Sequence, residues 1–443
     1  MLENLSNYKI MKKILSCIVA LLIFIVTYSQ RNSWDGWSIN PTSHFNCLNI
    51  FINIIYDISD PNNSNFPTSI AWRADTINEG INTCQPTYLL NYMDTIYNSN
   101  NLHGLVTRVY GESSFNNLQI CGDFVVVNIK ESTIIGPNNN QFNYNNIINA
   151  VVTYINNSGG LSTIYNHNNI QYYDYENNGK IFFTNILIRN ITKECGGINE
   201  GSGYGSTGIP STTKILVDGV ERNFNHGTRQ CIGSGNISRN PKNIFVHEIA
   251  HSFFGSNAFH TSGGNHRGSS EPMPFLSIQG GYGLMGNSGS SLVSCNGYER
   301  WRMHWRHPSN SSVGSWIVAR SKFNYAINSD IQKSDGNKSF WLRDFVTYGD
   351  AIRIKLPYKD SEDAYNQYIW IENHQGCSNG KLDSLQYANE SDCRPQDASG
   401  VYMYYQVGRD VLSGSYYDVY DTVGRDNLRM IPAEGYWDYT VHQ

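Results

Sequence analysis

Asn240-Pro241-Lys242-Asn243-Ile244-Phe245-Val246-His247-Glu248-Ile249-Ala250-His251-Ser252-Phe253-Phe254-Gly255 places the pattern H-E-x-x-H inside an apolar run. Asn240 is a good N-cap, and Pro241 suits the first helical position, where its missing N–H would have had no partner. Ile244, Phe245, Ile249, Phe253 and Phe254 supply apolar contacts, and Gly255 is a natural helix stop. The stretch therefore reads as a buried helix. Residues i and i+4 of a helix lie one turn apart on the same face. His247 and His251 can then offer imidazole nitrogens to one zinc ion, and Glu248 is placed to act as general base toward a water at the metal. The plainer alternative is a core helix whose histidines are only hydrogen-bonded. Two imidazoles and a carboxylate in an apolar helix need partners, which favours the metal.

Two histidines are too few, because a catalytic zinc takes three protein ligands and keeps one open position. His260 lies nine residues after His251, and a chain reversing at Gly255 could return it to the metal. His266, in Gly263-Gly264-Asn265-His266, is a second candidate. Glu271 is a third, although its setting, GSSEPMP, is not helical in pattern. Each would otherwise be a polar residue of a surface loop. Further on, Gly280-Gly281-Tyr282-Gly283-Leu284-Met285-Gly286 has the glycines of a tight turn. Met285 is not expected to be a ligand. Tyr282 or Tyr298 is a candidate for stabilising an oxyanion.

The chain has 443 residues, a formal net charge of -5 and only 16% charged residues. Lys and Arg form no long basic tract, so no nucleic-acid partner is expected. Lys12 and Lys13 precede the apolar run Ile14 to Tyr28, followed by Ser29-Gln30, which reads as a secretory signal peptide over residues 1–30. Met11 is a natural start for that signal. An uncleaved N-terminal anchor is the alternative, and no other membrane partner is expected. Cys17 leaves with the signal, and the eight other cysteines suit disulfides in a secreted chain. Cys377 and Cys393 are the easiest pair to propose.

Beyond a lead at 31–44, Phe45 to Tyr56 reads as a buried strand and Thr87 to Ser99 as a helix. Leu118 to Ile129 is a second strand, Asn145 to Ile155 a helix, and Ile181 to Ile188 a third strand. Gly196 to Gly208 lacks the Lys-Ser/Thr ending of a phosphate loop and reads as surface. These elements make an α+β or α/β catalytic domain over 45–310, and α+β is the fold class expected. From Ser315 the pattern changes to short segments at 315–319, 339–342, 351–356, 368–372 and 401–406, separated by Gly, Asn, Asp and Ser. That pattern predicts a β-sandwich-like accessory domain over 311–443.

Several stretches together resemble the metzincin-like secreted metallopeptidases of the immune inhibitor A type. They are Tyr110-Gly111-Glu112-Ser113-Ser114-Phe115, H-E-I-A-H, Y-G-L-M-G, Tyr298 to Trp305, Tyr368 to Gln375 and Ser399 to Tyr404. The resemblance implies a zinc endopeptidase with a metzincin-like fold, an accessory β-domain, and Met285 in a Met-turn. His247, Glu248 and His251 carry over directly. The family pattern puts Gly three residues after the second His and a ligand three further on; here Phe254 and Asn257 stand in those places. His260 would have to replace the usual third ligand.

The function expected is zinc-dependent hydrolysis of a protein or peptide substrate outside the cell. The competing expectation is a non-catalytic binding or adhesion protein on a degenerate peptidase scaffold. The irregular third-ligand spacing and an aromatic content of 13% motivate it. No carboxylate pair at readable spacing supports glycosidase chemistry.

Overall fold

The computed structural model describes residues 39–55, 80–81, 92–130, 133, 144–161, 173–189, 204–207, 213–232, 246, 248–250, 252–253, 283–284, 294–303, 305, 319–321, 326–327, 340–356, 367–375, 382, 399–407 and 428–430. Four parallel strands form the centre: β1 (His44–Ile55), β3 (Gln119–Lys130), β4 (Lys180–Arg189) and β7 (Val220–Ile232). Their order is β3-β1-β4-β7, with every adjacent pair parallel. The short β2 (Gly80–Ile81) adds antiparallel to β3. β5 (Tyr204–Thr207) and β6 (Lys214–Val217) add antiparallel to β7.

Inner parallel strands are covered on both faces, so they read as continuous apolar runs. The two faces of β1 separate by parity. Phe45, Cys47 and Phe51 join one apolar cluster with Val106, Val109 and Tyr110 of α1 (Leu105–Ser113). Leu48, Ile50, Ile52 and Ile54 join another with Ile147, Ile148, Val151 and Ile155 of α2 (Tyr144–Asn157). The face carrying α1 is also the face that meets Ile249 and Phe253.

A row of polar side chains crosses that face. Asn49, Asn185 and Thr228 are neighbours in register on β1, β4 and β7. Asn185 donates to Asn49 Oδ1 at 2.8 Å, Thr228 donates to Asn185 Oδ1 at 2.8 Å, and Asn49 donates to the Asp123 carbonyl at 2.9 Å. A one-residue slip of any strand would strand these buried groups, so the row fixes register as well as bonding the strands.

After the sheet come α3 (Gly297–Arg302) and α4 (Phe345–Tyr348). The antiparallel sheet β11-β12-β13-β14 follows, formed by Ala351–Leu356, Gln367–His374, Gly400–Val407 and Leu428–Met430. A smaller antiparallel sheet joins β8 (Ala319–Ser321), β9 (Ala326–Ile327) and β10 (Phe340–Trp341). Arg300 ties the parts together: it donates to the carbonyls of Ser113 and Phe345, each at 3.0 Å, and its guanidinium stacks on Phe115 and Phe345. Gly297 N–H donates to Glu372 on β12 at 2.7 Å. Tyr368, Trp370 and Tyr404 share one apolar cluster with Ile249 and Phe253.

Two readings need correction. Residues 92–99 of the expected helix at 87–99 are turn and irregular chain. The reason is local: the Asp94 carboxylate accepts the backbone N–H groups of His103 and Gly104, closing a loop instead of a helix. Within the Gly-rich stretch, Tyr204–Thr207 is a strand paired with β7 rather than free surface. Among the described residues, Cys47, Cys121 and Cys295 are free and buried, which leaves the expected disulfides to the other five cysteines of the mature chain. Burial raises the Cys295 thiol to about 12, which makes it a packing group and not a nucleophile. Residues 1–38 and Cys377 and Cys393 lie outside the described residues. Among the described residues, no helix is long and apolar enough to cross a membrane.

Candidate metal centre

Val246, Glu248, Ile249, Ala250, Ser252 and Phe253 are helical. Val246, Ile249, Ala250 and Phe253 are buried in the core, and their spacing is that of one inner helical stripe. The stripe is held from α1. Tyr110 Oη donates to the Val246 carbonyl at 2.6 Å, and its ring meets Phe253 edge-on at 5.6 Å. From the sheet, the Phe45 ring lies 6.3 Å from Phe253. Tyr110 is buried, and that burial raises its hydroxyl pKa well above the ordinary value, so it acts as a neutral donor.

Glu248 leaves this stripe but stays only 8% exposed. Desolvation raises its carboxyl from the ordinary 4.5 to about 8. A carboxylate so placed needs either a proton or a nearby cation.

The turn at Gly283-Leu284 is fixed by the start of α3. Asn296 accepts Glu299 N–H at 2.9 Å, and Glu299 in return accepts Asn296 N–H at 3.0 Å, a reciprocal capping box. The same Glu299 Oε2 accepts Leu284 N–H at 2.8 Å. Glu299 is fully buried, and Leu284 belongs to the cluster that holds Ile249 and Phe253. The turn therefore packs into the same core as the helical stripe.

Gly283 has φ 127, and a Cβ there would lie 2.5 Å from Asn296 Nδ2. Gly179, with φ 76, would carry a Cβ into open space. Gly283→Ala is therefore expected to cost roughly 1–3 kcal/mol more than Gly179→Ala in denaturant unfolding. Equal costs would show that the contact with Asn296 and Glu299 does not matter.

His247 and His251 lie outside the described residues, as do His260, His266, Glu271, Tyr282 and Met285. Among the described residues, no group of three or more His, Cys, Asp or Glu is placed to hold a metal ion. Tyr298 is 3% exposed, with its ring against Trp301 and Trp370, which makes it a core residue at the α3–β12 contact. Tyr110 and Glu299 were not singled out from the sequence as supports of the centre. The Asn296-x-x-Glu299 spacing is a readable helix-start signal, but its third bond, to Leu284, is not.

The donor set fits zinc by type. In the sequence, His247 and His251 stand on either side of the buried Glu248, and imidazole nitrogens with a carboxylate nearby are donor types that suit a hydrolytic zinc. No protein-family model matches the chain, and the search of curated proteins returned no match.

Proposed function

We propose that the chain is a secreted zinc-dependent endopeptidase with a metzincin-like catalytic fold, acting on protein or peptide substrates. The observation that carries this reading is Glu248, a carboxyl 8% exposed beside the buried helical residues Ile249, Ala250 and Phe253, with a histidine before it in the sequence and another three places after. His247 and His251 would hold the metal, with His260, His266 or Glu271 as the third ligand. Zinc, when bound, supplies Lewis acidity to the scissile carbonyl and lowers the pKa of water. Glu248 takes the proton of the attacking water and passes it to the leaving amine. Tyr110 and Glu299 hold the helix and the following turn in place from two other elements.

Elemental mass spectrometry on the purified protein tests the reading, with peptide cleavage measured before and after chelation. One zinc per chain, and cleavage lost to chelator and restored by zinc, is the expected result. Substituting His260, His266 and Glu271 by Ala, one at a time, identifies the third ligand as the residue whose loss releases zinc. No zinc and no chelator-sensitive cleavage would leave a binding or adhesion scaffold, the reading that Asn257 at the family's third-ligand position favours.

The metal-free protein has its own signature. The Glu248 carboxyl has a folded pKa of about 8 against an ordinary 4.5. A raised carboxyl pKa leaves the fold unpenalised below pH 4.5 and destabilises it progressively as pH rises to about 8. The chelated parent should lose on the order of a few kcal/mol of stability between pH 5 and pH 8 relative to chelated Glu248→Gln. Parallel pH profiles for the two proteins would refute this.

A further inference from the structure

Tyr110-Gly111-Glu112-Ser113-Ser114-Phe115 contributes to the family resemblance, yet most of it has no part in the chemistry proposed for Glu248. Its residues help to line a cavity of about 400 Å³. The facing wall is the loop from Asp94 to Gly104. The Asp94 carboxylate draws the loop's ends together, accepting His103 N–H at 3.0 Å and Gly104 N–H at 2.8 Å. Asn100 and Asn101 make the loop's inner turn through their backbone N–H groups, which donate to Asn98 at 3.1 and 2.9 Å. Their carboxamides are not used in that turn. Gly111 lets the loop lie against the helix, because a Cβ there would be 2.6 Å from Leu102 Cδ1 and 2.7 Å from Tyr97 Oη.

On the helix side, Arg108 Nε pairs with Glu112 Oε1 at 2.7 Å. Phe115 and Asn116 follow with φ 55 and 62, a left-handed conformation that a bulky residue such as Phe rarely adopts. Both are held from outside: the Arg300 guanidinium stacks on Phe115 at 4.3 Å, and Tyr97 Oη donates to Asn116 Oδ1 at 2.5 Å. Backbone strain held in place at the edge of a cavity points to a shape that is kept for use.

We infer that this cavity is a binding site for a neutral saccharide. Arg108 and Glu112 neutralise each other, so an anion or a cation meets no net countercharge there. Carboxamides, a hydroxyl and an imidazole, from Asn100, Asn101, Asn116, Thr347 and His103, make up much of the lining. An apolar ligand would cover the carboxamides of Asn100 and Asn101 without pairing them. Carboxamides offer donors and acceptors side by side, which matches the alternating capacity of sugar hydroxyls. A cavity of about 400 Å³ lies in the range for a small ligand of mono- or disaccharide size. The described lining contains no residue of 246–253, so this site and the proposed zinc chemistry stand or fall separately.

The test is a printed array of neutral and acidic glycans probed with the labelled full chain. Asn101→Trp and, across the cavity, Thr347→Trp are run beside it after their thermal midpoints are checked against the parent. The expected result is retention on one or more neutral glycans, weakened at least about tenfold in both variants and unchanged by chelator. Retention on acidic glycans alone, no retention by the parent, or equal retention by a well-folded variant would overturn the assignment. Displacement of the glycan by an unglycosylated peptide, in the parent but not in the variants, would reassign the cavity to peptide.

Discussion

Glu248→Gln is expected to keep one zinc per chain and to lower peptide hydrolysis by roughly 10²–10⁴-fold, the usual contribution of a general base. The amide has the size and burial of the acid but cannot take a proton from water. Because the parent carboxyl is only 8% exposed among core residues, the neutral amide should also fold at least as well. The loss would then fall on kcat, with KM little changed. Undiminished turnover in a zinc-loaded variant would remove Glu248 from the chemistry. Loss of zinc together with activity would instead make it a structural support of the metal.

Glu299→Ala should have the largest effect on stability, on the order of 3–5 kcal/mol in guanidinium unfolding. One buried carboxylate accepts the backbone N–H groups of Asn296 and Leu284, and alanine leaves both donors buried without it. Glu299→Gln keeps an acceptor oxygen and should recover part of the loss. Because Leu284 packs with Ile249 and Phe253, the alanine variant should also bind zinc more weakly. A variant as stable as the parent would show that water replaces the carboxylate and that the turn does not depend on α3.

β1, β3 and β4 were legible because both of their faces are covered by apolar packing. FNCLNIFINIIY and IFFTNILI are apolar at nine of twelve and six of eight places, and β1 and β4 end within a residue of those readings. The helix α1 was not legible. LVTRVYGES contains β-branched residues and a glycine, and its N-cap, Gly104, offers no side-chain bond. Packing of Val106, Val109 and Tyr110 against the sheet makes it a helix. β7 was hidden for the opposite reason: VERNFNHGTRQCI is polar along its length and is a strand because β4 lies beside it. Of the candidate centre, the H-E-x-x-H pattern rests on a spacing of four and can be read locally. Tyr110, which reaches Val246 across 136 positions, leaves no local mark in the sequence.

The apolar cluster that includes Phe253 also includes Trp370 and, 151 residues after Phe253, Tyr404. At synthesis rates of about 5–20 residues per second, that interval is roughly ten to thirty seconds. A nascent chain that has finished the helical stripe must wait that long before the last member of the cluster emerges. During the wait Tyr298 and Trp301, whose rings meet Trp370, lack that cover and are available to chaperones and to other nascent chains. Ribosome-attached chains ending near residue 310 should therefore be held by a chaperone, and those extending past Tyr404 released from it.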